Sequence, residues 1–437
     1  MLISFTVENW MSFRNKAVLS MVASRREKQH QERLSVVGET GNRLSPVCAI
    51  YGANASGKSN LCRALAFVQD LVVNGTPLNG TIKVSPYRLD PESSEKPSRF
   101  EVAMLINERC YEFGFSATRT QIIEEWLNEI LKNKEKVLYR RDAEEGIRCY
   151  VGNKQRMEVV AEGTRKNQLF LTNTIDQNVD EFRHIYAWFQ ESLTFIAPES
   201  HFVPLFDKET NDLLYQEVGQ YLSGLDTGIS RLEWKEYAVE TLQLPPEVAD
   251  ALKDGAENTV VQTPTGDILH VYRESGHLTA RRLNAVHTAE DGTTAAFDMD
   301  LESDGTRRLV DLLPAFLAMV GSDKTRVFVV DELDRSLHTL LTRHLLESFL
   351  SNCGATSRVQ FIFTTHDVLL MDQDLLRRDE MWVTERLASG ETTLTSFSAY
   401  KDIRSDKDIR RSYLQGRLGG VPRILLAGTL ENHSLTP

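Results

Sequence analysis

The sequence predicts an α/β fold in which a mixed sheet is flanked by helices, and three features support that prediction. Residues 52–59 read GANASGKS, and this glycine-rich segment lies between a short apolar run and a segment with helical spacing. A second apolar run, 327–330, is followed directly by two acidic residues, and a third largely apolar run, 359–365, is followed directly by a histidine. Apolar runs of this length that end in polar residues are typical of buried strands that deliver functional side chains.

Residues 52–59 fit the phosphate-binding loop pattern G-x-x-x-x-G-K-[ST]. Gly52 and Gly57 allow the backbone to fold closely around a phosphate group, and the N-terminus of the following helix adds a partial positive charge. Lys58 can reach the β- and γ-phosphates, and the hydroxyl of Ser59 can ligate Mg²⁺. The alternative is an ordinary glycine-rich turn, which the flanking strand and helix patterns disfavour. We therefore predict a site for a nucleoside triphosphate and Mg²⁺, and the resemblance to ATPases described below implies that the nucleotide is ATP. The predicted nucleotide-binding residues of this loop are Gly52, Asn54, Gly57, Lys58, Ser59 and Asn60.

The apolar run 327–330 carries Asp331 and Glu332 at its end. In nucleotide hydrolysis, one carboxylate at a strand end can hold Mg²⁺ through its water shell, and a second can polarise the attacking water. We predict the first role for Asp331 and the second, that of the general base, for Glu332. The alternative is a solvated strand end with two surface acids, which is common in α/β proteins.

The residues around this acid pair resemble parts of ABC-type ATPases. Leu333–His338 is similar to the D-loop of that class, and His366 is similar to its switch histidine, which senses the γ-phosphate. The turn 303–305 reads Ser-Asp-Gly and lies where the class carries its signature, directly before a helix-like run. The resemblance implies that Ser303 and Gly305 bind the γ-phosphate of a nucleotide held by another subunit, and that His366 takes part in catalysis. A plain helix cap at Ser303 and a structural histidine at the strand end are the alternatives.

The chain resembles the OLD-like, ABC-type AAA ATPases of bacterial defence modules nearly from end to end. Further segments that carry the resemblance are Leu2–Asn9, Ser12–Arg14, Asn167–Leu171, Leu225–Ile229, Leu375–Trp382 and Ser412–Arg417. The first two of these look like the opening of SMC-type heads. The resemblance implies an ABC-type (SMC/OLD-like) P-loop ATPase head with an inserted helical region. It also implies composite ATP sites shared by the copies of a homo-oligomer, which is at least a dimer.

The order of the patterns predicts three parts of the chain. Residues 1–120 form an N-terminal lobe with the phosphate loop, and strands are predicted within it at 100–106 and 111–116. Residues 121–294 form the inserted region, which is predicted to be helical at first and β-rich afterwards. Residues 295–437 form a C-terminal lobe with the signature turn, the acid pair, the D-loop and the switch histidine.

The composition predicts a cytoplasmic protein that does not cross a membrane. The chain has 437 residues, a net charge of −12 and five cysteines. No apolar run reaches the ~18 residues of a transmembrane helix, and the odd number of cysteines without paired spacing indicates reduced thiols and no zinc site. The basic runs 25–28, 377–378 and 410–411 lie near acids, so we interpret them as solvated faces rather than nucleic-acid sites. Local contact with DNA stays open as an alternative and is not favoured.

Three classes of function fit an ATPase with these motifs. The first is a sensor that detects a phage trigger protein and controls a toxic effector in a defence complex, with slow turnover because a sensor needs a long-lived state. The stretch after residue 370 lacks the spaced Glu and Asp-x-Asp carboxylates of a fused TOPRIM nuclease, so the effector is expected to be a separately encoded nuclease. The second is a DNA-repair or chromosome-associated ATPase of SMC or RecF type, which the lack of a long heptad region and of a strong basic face disfavours. The third is a transport ATPase. It is disfavoured by the large inserted region and by the signature turn, in which Asp304 and the lack of a second glycine depart from the transporter form.

Overall fold

The protein is described by a computed structural model over residues 1–37, 41–132, 134–198, 208–237, 258–262, 267–274, 277–319, 324–400 and 408–421. The chain divides into two compact units, each made of segments that are distant in sequence. The unit that we call the carboxylate unit consists of Met1, His30–Val47 and Ala187–Phe363. The other, which we call the phosphate-loop unit, consists of Leu2–Gln29, Cys48–Tyr186 and Thr364–Pro437.

The helices in chain order are α1 (Lys58–Val73), α2 (Pro91–Glu95), α3 (Lys154–Glu162), α4 (Phe170–Asp176), α5 (Arg183–Ala187), α6 (Lys208–Ser223), α7 (Asp304–Met319), α8 (Thr339–Ser351) and α9 (Ile409–Leu414). The first ten strands are β1 (Leu2–Glu8), β2 (Ala17–Ser20), β3 (Ser35–Val36), β4 (Arg43–Leu44), β5 (Val47–Tyr51), β6 (Ser98–Ile106), β7 (Arg109–Ala117), β8 (Ile122–Leu131), β9 (Lys134–Asp142) and β10 (Gly146–Cys149). The remaining strands are β11 (Leu193–Ile196), β12 (Ile229–Tyr237), β13 (Asn258–Gln262), β14 (Ile268–Glu274), β15 (His277–Thr288), β16 (Thr294–Asp298), β17 (Arg326–Val330), β18 (Val359–Thr364), β19 (Met381–Arg386) and β20 (Thr392–Ser396).

The phosphate-loop unit contains a seven-stranded antiparallel sheet with the order β10-β9-β8-β7-β6-β1-β2. The predicted strands at 100–106 and 111–116 are confirmed as β6 and β7. Asn107 and Glu108 join them with φ values of 48° and 63°, and a two-residue turn of this handedness matches the twist of a hairpin. In the same unit β5 pairs in parallel with β19, which pairs antiparallel with β20. Every residue of β5 is buried, which explains its uninterrupted apolar sequence.

The helical pattern predicted from residue 121 onward is wrong over 122–149, where the chain continues the antiparallel sheet as β8, β9 and β10. On β8 the charged Glu125 is buried, while its neighbour Glu124 is partly exposed. This arrangement breaks the alternation of apolar and polar residues by which a half-buried strand is identified in a sequence. Helices follow only from α3 onward, and the lobe boundaries at 120 and 294 stay predictions.

The carboxylate unit contains β11, β17 and β18, which pair in parallel with β17 in the middle of the three. A separate antiparallel sheet has the order β12-β15-β14-β13, and β16 also pairs with β15. Helix α6 packs against β12 and against α7. The core of the parallel group is apolar, since the last four residues of β17 and all of β18 are buried.

The basic pair 377–378 is neither a solvated face nor an accessible nucleic-acid site, which corrects our interpretation from the sequence. Arg377 is fully buried, and Arg378 is 6% exposed. The guanidinium of Arg377 makes two hydrogen bonds with the carboxylate of Asp379, at 2.9 and 2.8 Å, and donates to the carbonyl oxygens of Ser24 and Gln29. These arginines hold chain segments of the phosphate-loop unit together.

A membrane-spanning helix is not found in the described part of the chain, because none of its helices combines sufficient length with sufficient hydropathy.

Candidate active site

The phosphate loop joins β5 to α1 within the phosphate-loop unit. Gly52 has a φ of 151° and Gly57 a φ of 107°, which are backbone conformations that favour glycine. A Cβ atom at Gly52 would overlap the hydroxyl of Thr384, and one at Gly57 would overlap the side chain of Thr392. Both glycines are therefore required by the backbone conformation and by the close approach of β19 and β20.

Lys58 is the first residue of α1 and is only 5% exposed. Its Nζ donates hydrogen bonds to the carbonyl oxygens of Gly52 (2.8 Å) and Ala53 (3.1 Å) and lies 3.4 Å from Nδ1 of His366. An ammonium group has only donors, so the contact with His366 uses the lone pair on Nδ1. The lysine and the histidine to which we assign contacts with the γ-phosphate are therefore neighbours in one unit.

Hydroxyl groups on distant segments of the same unit support the loop. The Oγ of Ser56 lies 2.6 Å from Oγ1 of Thr384, and Thr392 Oγ1 donates to the carbonyl of Ser56 at 2.8 Å. Ser12 Oγ receives a hydrogen bond of 2.8 Å from Asn60 Nδ2 and lies 2.8 Å from Thr392 Oγ1. The amide of Asn60, predicted to contact nucleotide, thus supports the loop in this structure. The sequence pattern did not identify the hydroxyl partners, because Ser12 and Thr392 are 380 residues apart.

Two cysteines flank the phosphate loop, and both are buried. Burial raises the pKa of the Cys48 thiol well above its ordinary value, and the charges of Glu380 and Cys62 act in the same direction. A thiol with a raised pKa carries little thiolate and is a poor nucleophile. Cys48 and Cys62 are therefore small core residues.

The strand β17 delivers Asp331 and Glu332 at its carboxyl end in the carboxylate unit. The N–H of Asp331 donates to the carbonyl of Ile196 (2.9 Å), which extends the parallel pairing with β11 by one residue. Asp331 is buried, whereas Glu332 is partly exposed and has a left-handed φ of 54°. Left-handed conformations of residues other than glycine are strained and are concentrated at functional sites. The Asp331 carboxylate thus lies in a buried environment and the Glu332 carboxylate in a partly exposed one.

The signature turn begins α7 and contacts the D-loop in the same unit. Ser303 Oγ accepts a hydrogen bond of 3.1 Å from the N–H of Thr306, which confirms Ser303 as the N-cap. A Cβ atom on Gly305 would lie 2.7 Å from the carbonyl oxygen of Ser336, so only glycine allows this approach. Ser303 is exposed, and the cap therefore leaves it accessible to a ligand.

The predicted site residues are divided between the two units. The phosphate-loop unit holds Gly52, Asn54, Gly57, Lys58, Ser59, Asn60 and His366. The carboxylate unit holds Ser303, Gly305, Asp331 and Glu332. In the first set Lys58 and His366 are in contact, and in the second Gly305 packs against Ser336 of the D-loop, which follows the acid pair.

The phosphate loop between β5 and α1 and the acid pair at the end of the parallel strand β17 are features of α/β P-loop nucleotide-binding domains. The chain belongs to the family described as "AAA domain, putative AbiEii toxin, Type IV TA system", which matches residues 47–156 and 173–372. The predicted fold class is thereby confirmed.

Solved structures that are similar to this chain include two SMC head domains. The "SMC head domain from Thermotoga maritima" is 14% identical, with a TM-score of 0.36, and the match covers 90% of this chain and 98% of that one. The "Crystal structure of the SmcHead bound to the C-winged helix domain of ScpA" is 12% identical, with a TM-score of 0.42, and the match covers 92% of this chain and 99% of that one. No curated protein matches the chain.

Proposed function

We propose that this protein binds and hydrolyses ATP as the sensor or switch subunit of a cytoplasmic anti-phage defence complex. In this proposal it controls a separately encoded toxic effector, a nuclease, in response to a phage trigger protein. The observation that carries the ATPase part is the phosphate loop, in which a buried Lys58 faces a backbone cradle that only glycines permit.

The residues present fit a nucleoside triphosphate. Lys58 now donates to peptide carbonyls, and a charged phosphate oxygen is a stronger acceptor that would replace them. Ser59 and Asp331 are the residues proposed to hold Mg²⁺, which when bound would neutralise phosphate charge. Glu332 is proposed to take the proton of the attacking water, and His366 to sense the γ-phosphate.

The switch is proposed to depend on a site that two copies of the chain share. Ser303 and Gly305 of one copy would close over the γ-phosphate of the nucleotide on the phosphate loop of another copy. ATP binding then favours the associated state, and hydrolysis with loss of phosphate removes the shared ligand. The proposal therefore requires a homo-oligomer that is at least a dimer.

The defence role is supported by the family and by the charge of the chain. The family description names a toxin and a toxin–antitoxin system. The sequence also resembles OLD-like defence ATPases, and among them the ATPase subunit of the PARIS anti-phage system. A net charge of −12 suits protein partners better than general affinity for DNA, although local contact with DNA remains compatible with it.

The test is a phage challenge of cells that carry this gene with or without its genomic neighbour. Protection should require both genes and should be lost with Lys58→Ala or Glu332→Gln, because each change removes one step of the ATP cycle. Lys154→Ala on α3 is the matched control, since it removes an exposed lysine whose partner is Glu158, and it should retain protection.

Two results would contradict the defence proposal. Full protection by this gene alone would exclude a separately encoded effector. Full protection by the pair with Lys58→Ala would exclude the ATP switch. If neither strain is protected while the purified protein binds DNA at physiological salt, the DNA-repair or chromosome-associated alternative of SMC or RecF type is favoured instead.

A further inference from the structure

Arg308, on the second turn of α7, is a buried cation whose side-chain nitrogens have no hydrogen-bond partner in the described part of the chain. The residue is 5% exposed, and the three guanidinium nitrogens have no acceptor among the described residues. A guanidinium carries five N–H donors and stays charged inside proteins. Burying such a group without acceptors costs stability, so a purely structural arginine is normally paired.

The charges around Arg308 come from its own helix and from the segment after β17. Burial lowers the pKa of Arg308 from its usual value, and the nearby carboxylate of Asp311 opposes that effect. Arg335 lowers the pKa further, while Glu332 and Asp331 raise it. The guanidinium therefore interacts electrostatically with the acid pair but is not hydrogen-bonded to it.

Arg308 also lies next to the signature turn. The turn caps α7 through Ser303 and Thr306, and Gly305 packs against the carbonyl of Ser336 in the D-loop. Because Arg308 is only three residues after Gly305 on the same helix, both lie on the same side of α7. A ligand that shifts the turn would shift the guanidinium relative to the acid pair.

We propose that Arg308 is a positioning residue that links the signature turn to the general base. When a phosphate group engages the turn, the guanidinium takes the Glu332 carboxylate as its acceptor and holds it in the orientation for reaction. This inference rests on the proposed ATPase function. Before phosphate binds to the turn, the buried charge of Arg308 costs stability. After phosphate binds, the guanidinium donors have the charged Glu332 carboxylate as their acceptor, which offsets that cost.

The test compares three variants of the full chain for ATP hydrolysis, ATP binding and thermal unfolding. Arg308→Met keeps a similar shape and removes the charge. It should lower kcat about 10-fold or more and leave the Kd for ATP within about threefold, because it affects orientation and not phosphate binding. Without nucleotide its Tm should rise by about 2 °C or more, since an unpaired buried charge is removed.

Arg308→Lys keeps the charge without the forked donors, and its kcat should lie between those of the wild type and Arg308→Met. Arg343→Gln is the matched control, because it removes a partly exposed guanidinium from α8 that pairs with Glu347. Its kcat should equal that of the wild type.

A lower Tm for Arg308→Met would show that the arginine is structural and would overturn the inference. A wild-type kcat for this variant would overturn it as well. Neither result would contradict the proposed ATPase function, provided that the wild type hydrolyses ATP. A wild type that hydrolyses no ATP would refute the proposed function, and the inference with it.

Discussion

Lys58 forms its hydrogen bonds with carbonyl groups of its own loop, and these are the bonds that a phosphate would take over. Glu332 belongs to the other compact unit and has a left-handed backbone at the end of β17. We therefore expect the two residues to act in separate steps of ATP hydrolysis. The lysine is expected to act in nucleotide binding, and the glutamate in the chemical step.

Lys58→Ala and Glu332→Gln should consequently have different kinetic effects. Lys58→Ala should weaken ATP binding about 10-fold or more, because charged hydrogen bonds contribute ~1.5–3 kcal/mol each. Glu332→Gln keeps the shape but removes the base, so it should retain ATP and lose about 100-fold or more in kcat. Nucleotide titration gives the Kd, and phosphate release gives kcat.

Each of the two variants tests the role of its own residue independently of the other. If Glu332→Gln hydrolyses ATP at the wild-type rate, another residue is the base. If Lys58→Ala binds and turns over ATP as the wild type does, residues 52–59 are not the nucleotide site.

At the scale of secondary-structure elements, Glu125 shows how a strand secures a helix in the phosphate-loop unit. Its carboxylate accepts hydrogen bonds from the N–H groups of Phe170 (2.7 Å) and Leu171 (3.0 Å), at the start of α4. Tyr139 on β9 donates a third, at 2.9 Å, and Arg141 lies 3.7 Å away. Burial raises the pKa of Glu125, and these partners oppose that effect. The carboxylate thus joins β8, β9 and α4.

Glu125→Ala should destabilise the protein strongly. The change removes the acceptor of two backbone donors and leaves Arg141 without its buried carboxylate partner, which costs about 3–5 kcal/mol in comparable cases. Equilibrium urea unfolding measures the loss.

Glu124→Ala is the control on the same strand. Glu124 makes a partly exposed ion pair with Arg99 at 2.9 Å, and such pairs contribute at most about 1 kcal/mol. Equal losses from the two variants would show that the contacts of Glu125 with α4 are not what stabilises this region.

At the scale of the whole molecule, the motif residues form two sets in two compact units. The phosphate loop and His366 lie in one unit, while the signature turn and the acid pair lie in the other. The exposed Ser303 at the start of α7 is suited to contact another copy of the chain. The shared site between copies stays a prediction, and it has a direct test.

Ser303→Arg should abolish ATP hydrolysis by blocking closure over the nucleotide of a neighbouring copy, while that subunit's own phosphate loop still binds ATP. Mixing it with Lys58→Ala should restore activity. For a twofold dimer, half of the randomly mixed pairs keep one intact site of two, which predicts about a quarter of the wild-type rate. Phosphate release from the separate and mixed variants measures this.

A wild-type rate for Ser303→Arg alone would show that the signature turn does not complete a neighbour's site. No recovery on mixing, with exchange of subunits verified, would show that the two mutations affect the same site.

The sequence by itself determined the phosphate loop, the acid pair and most of the strands that carry them. These features depend on residues that are consecutive in the chain, such as the glycines that precede Lys58 and the apolar run before Asp331, so a local pattern is sufficient. The prediction from the sequence was wrong over β8 to β10, because the buried Glu125 interrupts the alternation of apolar and polar residues that identifies a strand.

Only the tertiary structure decided which charged and polar side chains are buried and what they contact. The sequence pattern predicted that Arg377 lies on a basic surface, whereas it is a buried internal anchor. Arg308 is also buried, has no hydrogen-bond partner in the described part of the chain, and interacts electrostatically with the acid pair. Ser12 and Thr392 support the phosphate loop across 380 residues of sequence. The physical reason is that the burial and the contacts of a side chain depend on segments that are brought together only by folding. A local periodicity in the sequence cannot predict such contacts.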